Sequence, residues 1–171
     1  MALTVRKLSL LLGLILAAPL CAHGQLLDNK LQVFGGYSYM RFSNPPAANF
    51  YGWEASGEYK YYRWLGIVGD FSGNYGTWNG VHSSVQTYMF GPEFSWPSRI
   101  SPFLHLLAGA GHFKAGAAST TAIATDIGGG VDIRLVHGVS WRAVEADRVL
   151  THFFGPSQSN TRLSTGIVIR F

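Results

Sequence analysis

The last eleven residues, Thr161–Phe171, read TRLSTGIVIRF, and taking every second residue separates two unlike rows. Thr161, Leu163, Thr165, Ile167, Ile169 and Phe171 form one row, β-branched or apolar throughout and ending on an aromatic ring. Arg162, Ser164, Gly166, Val168 and Arg170 form the other, with a charge near each end. A period of two is the signature of a strand with two different faces. A strand docked in a soluble sheet satisfies the same pattern, so the neighbouring sequence has to decide which side meets which solvent.

The alternation recurs along the chain. Ile123, Thr125, Ile127, Gly129, Val131, Ile133 and Leu135 alternate with Ala124, Asp126, Gly128, Gly130, Asp132 and Arg134. Near the start, Leu31, Val33, Tyr37 and Tyr39 alternate with Gln32, Phe34, Ser38 and Met40. Trp53, Ala55, Tyr59 and Tyr61 oppose Glu54, Ser56, Glu58 and Lys60. Leu65, Ile67 and Phe71 oppose Val68, Asp70 and Ser72, with only Arg63 and Trp64 between these two runs. Residues 84–96 and 103–113 are strands of ambiguous phase; Pro92 sits inside the first and suggests a bulge. A seventh strand covers about residues 139–153, with Val144, Ala146 and Leu150 opposite Glu145 and Asp147. These make eight strands, several about twice the usual 5–6 residues and long enough for the 9–11 residues that a tilted transmembrane strand needs. The connections alternate as well. RW, PSRISP and VHG are short; SNPPAANF, GTWNGVHS, AGAAST and GPSQSN are longer, the asymmetry of an outer-membrane barrel.

Upstream, Arg6 and Lys7 precede the apolar run LSLLLGLILAAPL, and Ala22 and Gly24 follow at a spacing suited to signal peptidase. Residues 1–24 are therefore expected to be a secretory signal peptide, and residues 25–171 one barrel domain. Leu20 before Cys21 argues against lipidation, and cleavage removes the chain's one cysteine. It also removes two of the basic residues behind a formal charge of +4. The remaining basic residues are scattered, so nucleic acid is not an expected partner. All the Phe (11), Tyr (8) and Trp (5) residues lie after the signal, which favours β structure.

Charge sorts onto one face. Glu54, Glu58, Lys60, Asp70, Asp126, Asp132, Arg134, Arg162 and Arg170 all lie opposite the apolar row. A soluble barrel turns that face to water; a membrane barrel turns it to the lumen. Export, strand length and Trp53, Tyr61, Tyr75 and Phe171 near strand ends favour the second arrangement. The fold expected is an all-β, eight-stranded antiparallel transmembrane barrel. Its lumen, barely wide enough for its own side chains, pairs Glu54, Glu58, Asp70 and Asp132 with Lys60, Arg134, Arg162 and Arg170, because unpaired buried charge is costly.

The segments LQVFGGYSYMRF (31–42), GWEASGEYKYYRWLGIVGDFSGNYG (52–76), FGPEFSW (90–96), DIGGGVDIRL (126–135) and RLSTGIVIRF (162–171) resemble the OmpA-type and OmpX-type eight-stranded outer-membrane barrels. That resemblance implies a monomer in outer-membrane lipid. It also implies that Ile167, Ile169 and Phe171 form the terminal pattern read by the barrel-assembly machinery. Arg148 departs from it: related segments often carry Tyr in ADY, here ADR, and by parity the residue faces lipid, so either it lies near a rim where its stem can snorkel or the phase of strand seven differs.

No enzyme, cofactor or metal is expected. None of His82, His105, His112, His137 and His152 lies in an H-E-x-x-H motif. His152, Ser157 and Glu145 supply the residue types of a base, a nucleophile and an orienting acid, as in lipid-modifying barrels, without that family's local motif. Gly128–Gly130 lacks the lysine and helix of a phosphate loop. The function expected is a structural outer-membrane barrel with loop-borne interactions and a closed lumen. A narrow channel, a lipid-modifying enzyme and a soluble periplasmic ligand barrel follow in that order.

Overall fold

The computed structural model describes residues 30–43, 47–151 and 158–171. The expected signal peptide, together with His152 and Ser157, lies outside the described residues. Eight strands form one closed antiparallel barrel: β1 (Leu31–Phe42), β2 (Ala48–Tyr62), β3 (Leu65–Trp78), β4 (Val81–Ser95), β5 (Ile100–Ala115), β6 (Ala118–Val136), β7 (Val139–Thr151) and β8 (Gln158–Arg170). Each strand pairs with its sequence neighbours. β1 and β8 close the ring in continuous register, from Gln32 opposite Arg170 to Phe42 opposite Asn160. The closure leaves no free edge, so every strand has a partner on both sides. The first and last of the described residues, Lys30 and Phe171, lie at one end, hereafter the terminal end, where the Phe171 amide donates to the Leu31 carbonyl at 2.9 Å.

The barrel is inside out relative to a soluble one. Glu54, Asp70, Asp126, Asp147 and Arg162 are buried, while Ile67, Phe90, Leu104 and Ile123 are each more than 60% exposed. A belt of exposed apolar side chains around the whole circumference far exceeds the patch of roughly 300–600 Å² that a soluble monomer shows. It suits a hydrocarbon solvent, and a closed barrel satisfies the backbone there as well. Aromatics cluster toward the two ends of the belt. Near the terminal end Tyr62 stacks on Trp64 and Trp64 on Phe94, with centroids 5.9 and 6.0 Å apart. Toward the far end Tyr39 and Tyr51 meet at 5.4 Å, and Tyr51 lies opposite Tyr75. Trp53 sits farther from a strand end than the sequence suggests, because β2 begins at Ala48.

The ambiguous strands resolve cleanly. In β4, Val85, Thr87, Met89 and Glu93 are buried and Tyr88, Phe90 and Phe94 exposed. The phase does not shift at Pro92, which faces outward opposite Ile67. On the β5 side the pairing skips from Phe90–Ala108 to Glu93–His105 and resumes in the same register. A proline removes a ladder hydrogen bond without adding a residue, so no bulge is needed. In β5, Phe103, His105, Leu107 and Phe113 point inward.

The expected contrast between short turns and long loops is only partly present. GTWNGVHS and AGAAST are mostly strand, and the turns at that end are Asn79-Gly80 and Gly116-Ala117. Asn79 and Gly80 both have positive φ (51° and 76°), the geometry of the two-residue hairpin turn that Asn-Gly favours. These segments continue the ladder as long hairpins, because their small and β-branched residues pair as readily as they loop. Residues 43–47 and the segment between β7 and β8 make the two longer connections at that end.

Candidate functional site: the ion-paired lumen

Each strand contributes inward side chains at every second position, and the interior is layered along the axis. At the far end, Met40, Phe42, Phe50, Val85, Phe113 and Val149 form a buried apolar cluster, with Trp78 packed against it. Phe42 lies 4.9 Å from Phe50 and 6.4 Å from Phe113 by ring centroid, so aromatic rings fill that mouth.

Below the rings sits Arg162, fully buried on β8. Its Nε donates to Asp147 Oδ2 at 2.8 Å, Nη1 to Asp70 Oδ1 at 2.8 Å and Nη2 to Asp126 Oδ2 at 2.9 Å. Glu54 Oε2 lies 3.4 Å from Nε and accepts from Ser164 Oγ at 2.5 Å. One guanidinium thus gathers carboxylates from β2, β3, β6 and β7. The planar five-donor fork of arginine suits such a hub, since it serves several acceptors in one plane.

A second arginine forms the next layer. Arg142 Nε donates to Asp132 Oδ1 at 2.9 Å and Nη1 to Glu145 Oε2 at 3.1 Å. Its guanidinium lies between the rings of Phe34 and Phe103, 4.4 and 4.1 Å from their centroids. Cation–π contact strengthens where water is excluded. Nearer the terminal end, Lys60 donates to Glu58 at 2.9 Å and to Ser95 at 2.5 Å. Arg170 reaches Gln32 at 2.8 Å, Asp132 at 3.1 Å and Ser140. A cavity of about 680 Å³ opens at this end, lined by Lys60, Glu93, Asp132, Arg134 and Arg170 among others.

Seven of the eight residues expected in the charge network, Glu54, Glu58, Lys60, Asp70, Asp132, Arg162 and Arg170, take part in these contacts. Arg134 is exposed at the cavity mouth and makes no salt bridge among the described residues. Sequence reasoning did not place Arg142, because β7 breaks phase: Arg142 pairs with Asp132 while the next pair is Val144–Val131. The register against β8 shifts between Arg142 and Glu145 too. This bulge leaves Ala143 as the extra residue, so Arg142 and Glu145, three apart, both point inward. Strict alternation from Glu145 sends Arg142 to lipid. His105 has no assigned face in the sequence because alternation leaves the phase of β5 open. Its neighbour Pro102 and the small residues 108–111 blur the alternation there.

Arg148 is exposed on β7, three residues before that strand's last residue, Thr151, and its Nε donates to Ser159 Oγ at 2.7 Å. That position suits the rim. Glu145 is held by Arg142 and lies 3.6 Å from His105. Ile167 and Ile169 are exposed outward and Phe171 is half-buried.

No family model and no curated protein matches the chain. Solved structures do. The crystal structure of Neisserial surface protein A superposes with a TM-score of 0.67 at 13% identity, covering 83% of this chain and 97% of that one. Ail, the attachment invasion locus protein of Yersinia pestis, superposes at 0.57 with 16% identity, covering 81% and 97%. The N-terminal barrel domain of Pseudomonas aeruginosa OprF reaches 0.50 at 14% identity, covering 84% and 98%. At these identities the likeness establishes the fold, the eight-stranded antiparallel barrel of outer-membrane proteins.

Proposed function

We propose that this chain is a monomeric, non-enzymatic wall protein of the outer membrane, with a lumen closed to solutes and interactions borne by the end opposite the terminal end. The observation that carries the reading is Arg162, which draws carboxylates from four other strands onto one guanidinium across the lumen. With that hub in place and Phe42, Phe50 and Phe113 packed above it at tilted angles, water and ions have no wide path along the axis. Outer-membrane lipid is the solvent for the apolar belt, and the barrel-assembly machinery is the transient partner that reads Ile167, Ile169 and Phe171. The interacting end carries the long β3–β4 and β5–β6 hairpins with their two-residue turns and the longer β1–β2 and β7–β8 connections.

Planar-bilayer recording of the refolded protein tests the closed lumen. The expected result is a flat baseline without stable steps. A reproducible porin-sized conductance rejects the reading in favour of a channel, and a small stable conductance establishes the narrow-pore alternative.

A further inference from the structure

The lumen holds more acid than base. Eight of the chain's nine Asp and Glu residues are buried inside it. Against them stand Lys60, Arg142, Arg162 and Arg170, with His105 beside the central hub. Buried carboxylates that outnumber their cationic partners are costly in a water-poor interior. The excess is concentrated around His105. Arg162 engages one oxygen of Asp147 and one of Asp126, and the second oxygens, Asp147 Oδ1 and Asp126 Oδ1, have no hydrogen-bond partner. His105 Nε2 has none either. It lies within ion-pair distance of Asp147 Oδ1, at 3.2 Å, and the other ring nitrogen, Nδ1, lies 3.6 Å from Glu145 Oε1.

We propose that His105, Asp147 and Glu145 form a binding site for one divalent first-row transition cation inside the barrel. One donor atom from each of the three lies within 4.8 Å of the others. The side chains of His105, Asp147 and Glu145 are 3%, 0% and 2% exposed. Donors about 2.0–2.2 Å from a metal stand some 3–3.5 Å from each other, and His105 Nε2 and Asp147 Oδ1 already have that separation. Each carboxylate gives one oxygen to an arginine and keeps the other: Asp147 Oδ2 and Glu145 Oε2 are held by Arg162 and Arg142. The arginines thereby fix the acids as outer partners orient metal ligands. Space is reserved too. A Cβ at position 128 of β6 would collide with the Asp147 carboxylate and crowd the His105 ring, so glycine there keeps the gap open. An imidazole nitrogen with carboxylate oxygens suits Zn²⁺, Co²⁺ or Mn²⁺ better than Ca²⁺ or Mg²⁺, which prefer oxygen alone.

The probe is Co²⁺ present while the barrel refolds in detergent, followed by visible absorption and equilibrium dialysis, with heat-modifiable gel mobility reporting the folded barrel. One Co²⁺ per barrel is expected. Binding should persist when the exposed His82 and His137 and the half-buried His112 are all changed to Asn, and should weaken at least about tenfold in His105→Gln. If His105→Gln does not fold, histidine ¹⁵N resonances of the wild type are compared after refolding with and without Zn²⁺, and the His105 ring nitrogens should shift at one equivalent. Absence of stoichiometric binding to the folded wild type overturns the proposal. So does binding that disappears with those three histidines, or refolding with Zn²⁺ that leaves the His105 resonances unmoved.

Discussion

Arg162 and Asp70 meet at 2.8 Å although 92 positions separate them in the chain. Their strands, β8 and β3, are not neighbours in the sheet, so the bond crosses the lumen instead of following the wall. It ties opposite sides of the barrel through a charge with no exposed surface. Removing one partner of such a pair leaves the other as an uncompensated buried ion, which costs more than the pair contributes.

Arg162→Met is therefore expected to destabilise the refolded barrel by about 3–5 kcal/mol, because four carboxylates lose their shared cation. The denaturant midpoint in lipid vesicles measures it. Arg162→Lys should recover part of the loss, since one ammonium cannot serve four acceptors in a plane. A midpoint unchanged in Arg162→Met would show that the hub is not what holds these acids together.

The bulge in β7 makes a prediction that strict alternation contradicts. Trp141 and Val144 are both exposed, and Arg142 and Glu145 both buried. Spin labels at single introduced cysteines should be accessible to lipid-dissolved oxygen at positions 141 and 144, as at Ile127 and Ile167. A label at position 140 should be protected from it. Regular alternation of accessibility from 140 to 145 would remove the bulge.

The apolar mouth should contribute to stability as a soluble core does. Phe50 has no exposed surface and touches Phe42, so Phe50→Ala is expected to cost about 3–5 kcal/mol. The central ion pairs should still block a porin-sized conductance in that variant. Calibrated denaturation and bilayer recording on one preparation separate the two effects, and a large pore in Phe50→Ala would assign closure to the aromatic layer alone.

Phe171 is half-buried at the end of the closing strand, and its amide already bonds to Leu31. Its ring is worth at most about 1.5–3 kcal/mol of burial, whereas closure engages the whole β1–β8 ladder. Deleting Phe171 is expected to lower outer-membrane levels in cells sharply while leaving refolding into vesicles nearly intact. Wild-type levels in cells would mean that the ring is not an assembly signal; failure to refold in vitro would make it architectural.

Much of the architecture is legible in the chain because a strand's side-chain period is two and barrel walls separate two solvents. Arg162 against Leu163 and Asp132 against Ile133 declare their faces locally, and such runs, with two more strands of open phase between them, point to an eight-stranded barrel. The charged residues of the lumen follow from the same parity. What parity cannot carry is a change of count. The extra residue at Ala143 inverts the lower half of β7 and brings Arg142 between Phe34 and Phe103, and no local signal in VSWRAVEADRVLT marks it. The partner of each charge is equally non-local. Arg162 joins Asp70 and Asp126 only because closure of β1 on β8 curves the sheet until distant strands face one another. His105 acquires Asp147 and Glu145 by the same curvature. Local alternation selects the face of each side chain; shear, bulges and ring closure select its neighbours across the lumen, and those distances exist only once the barrel is complete.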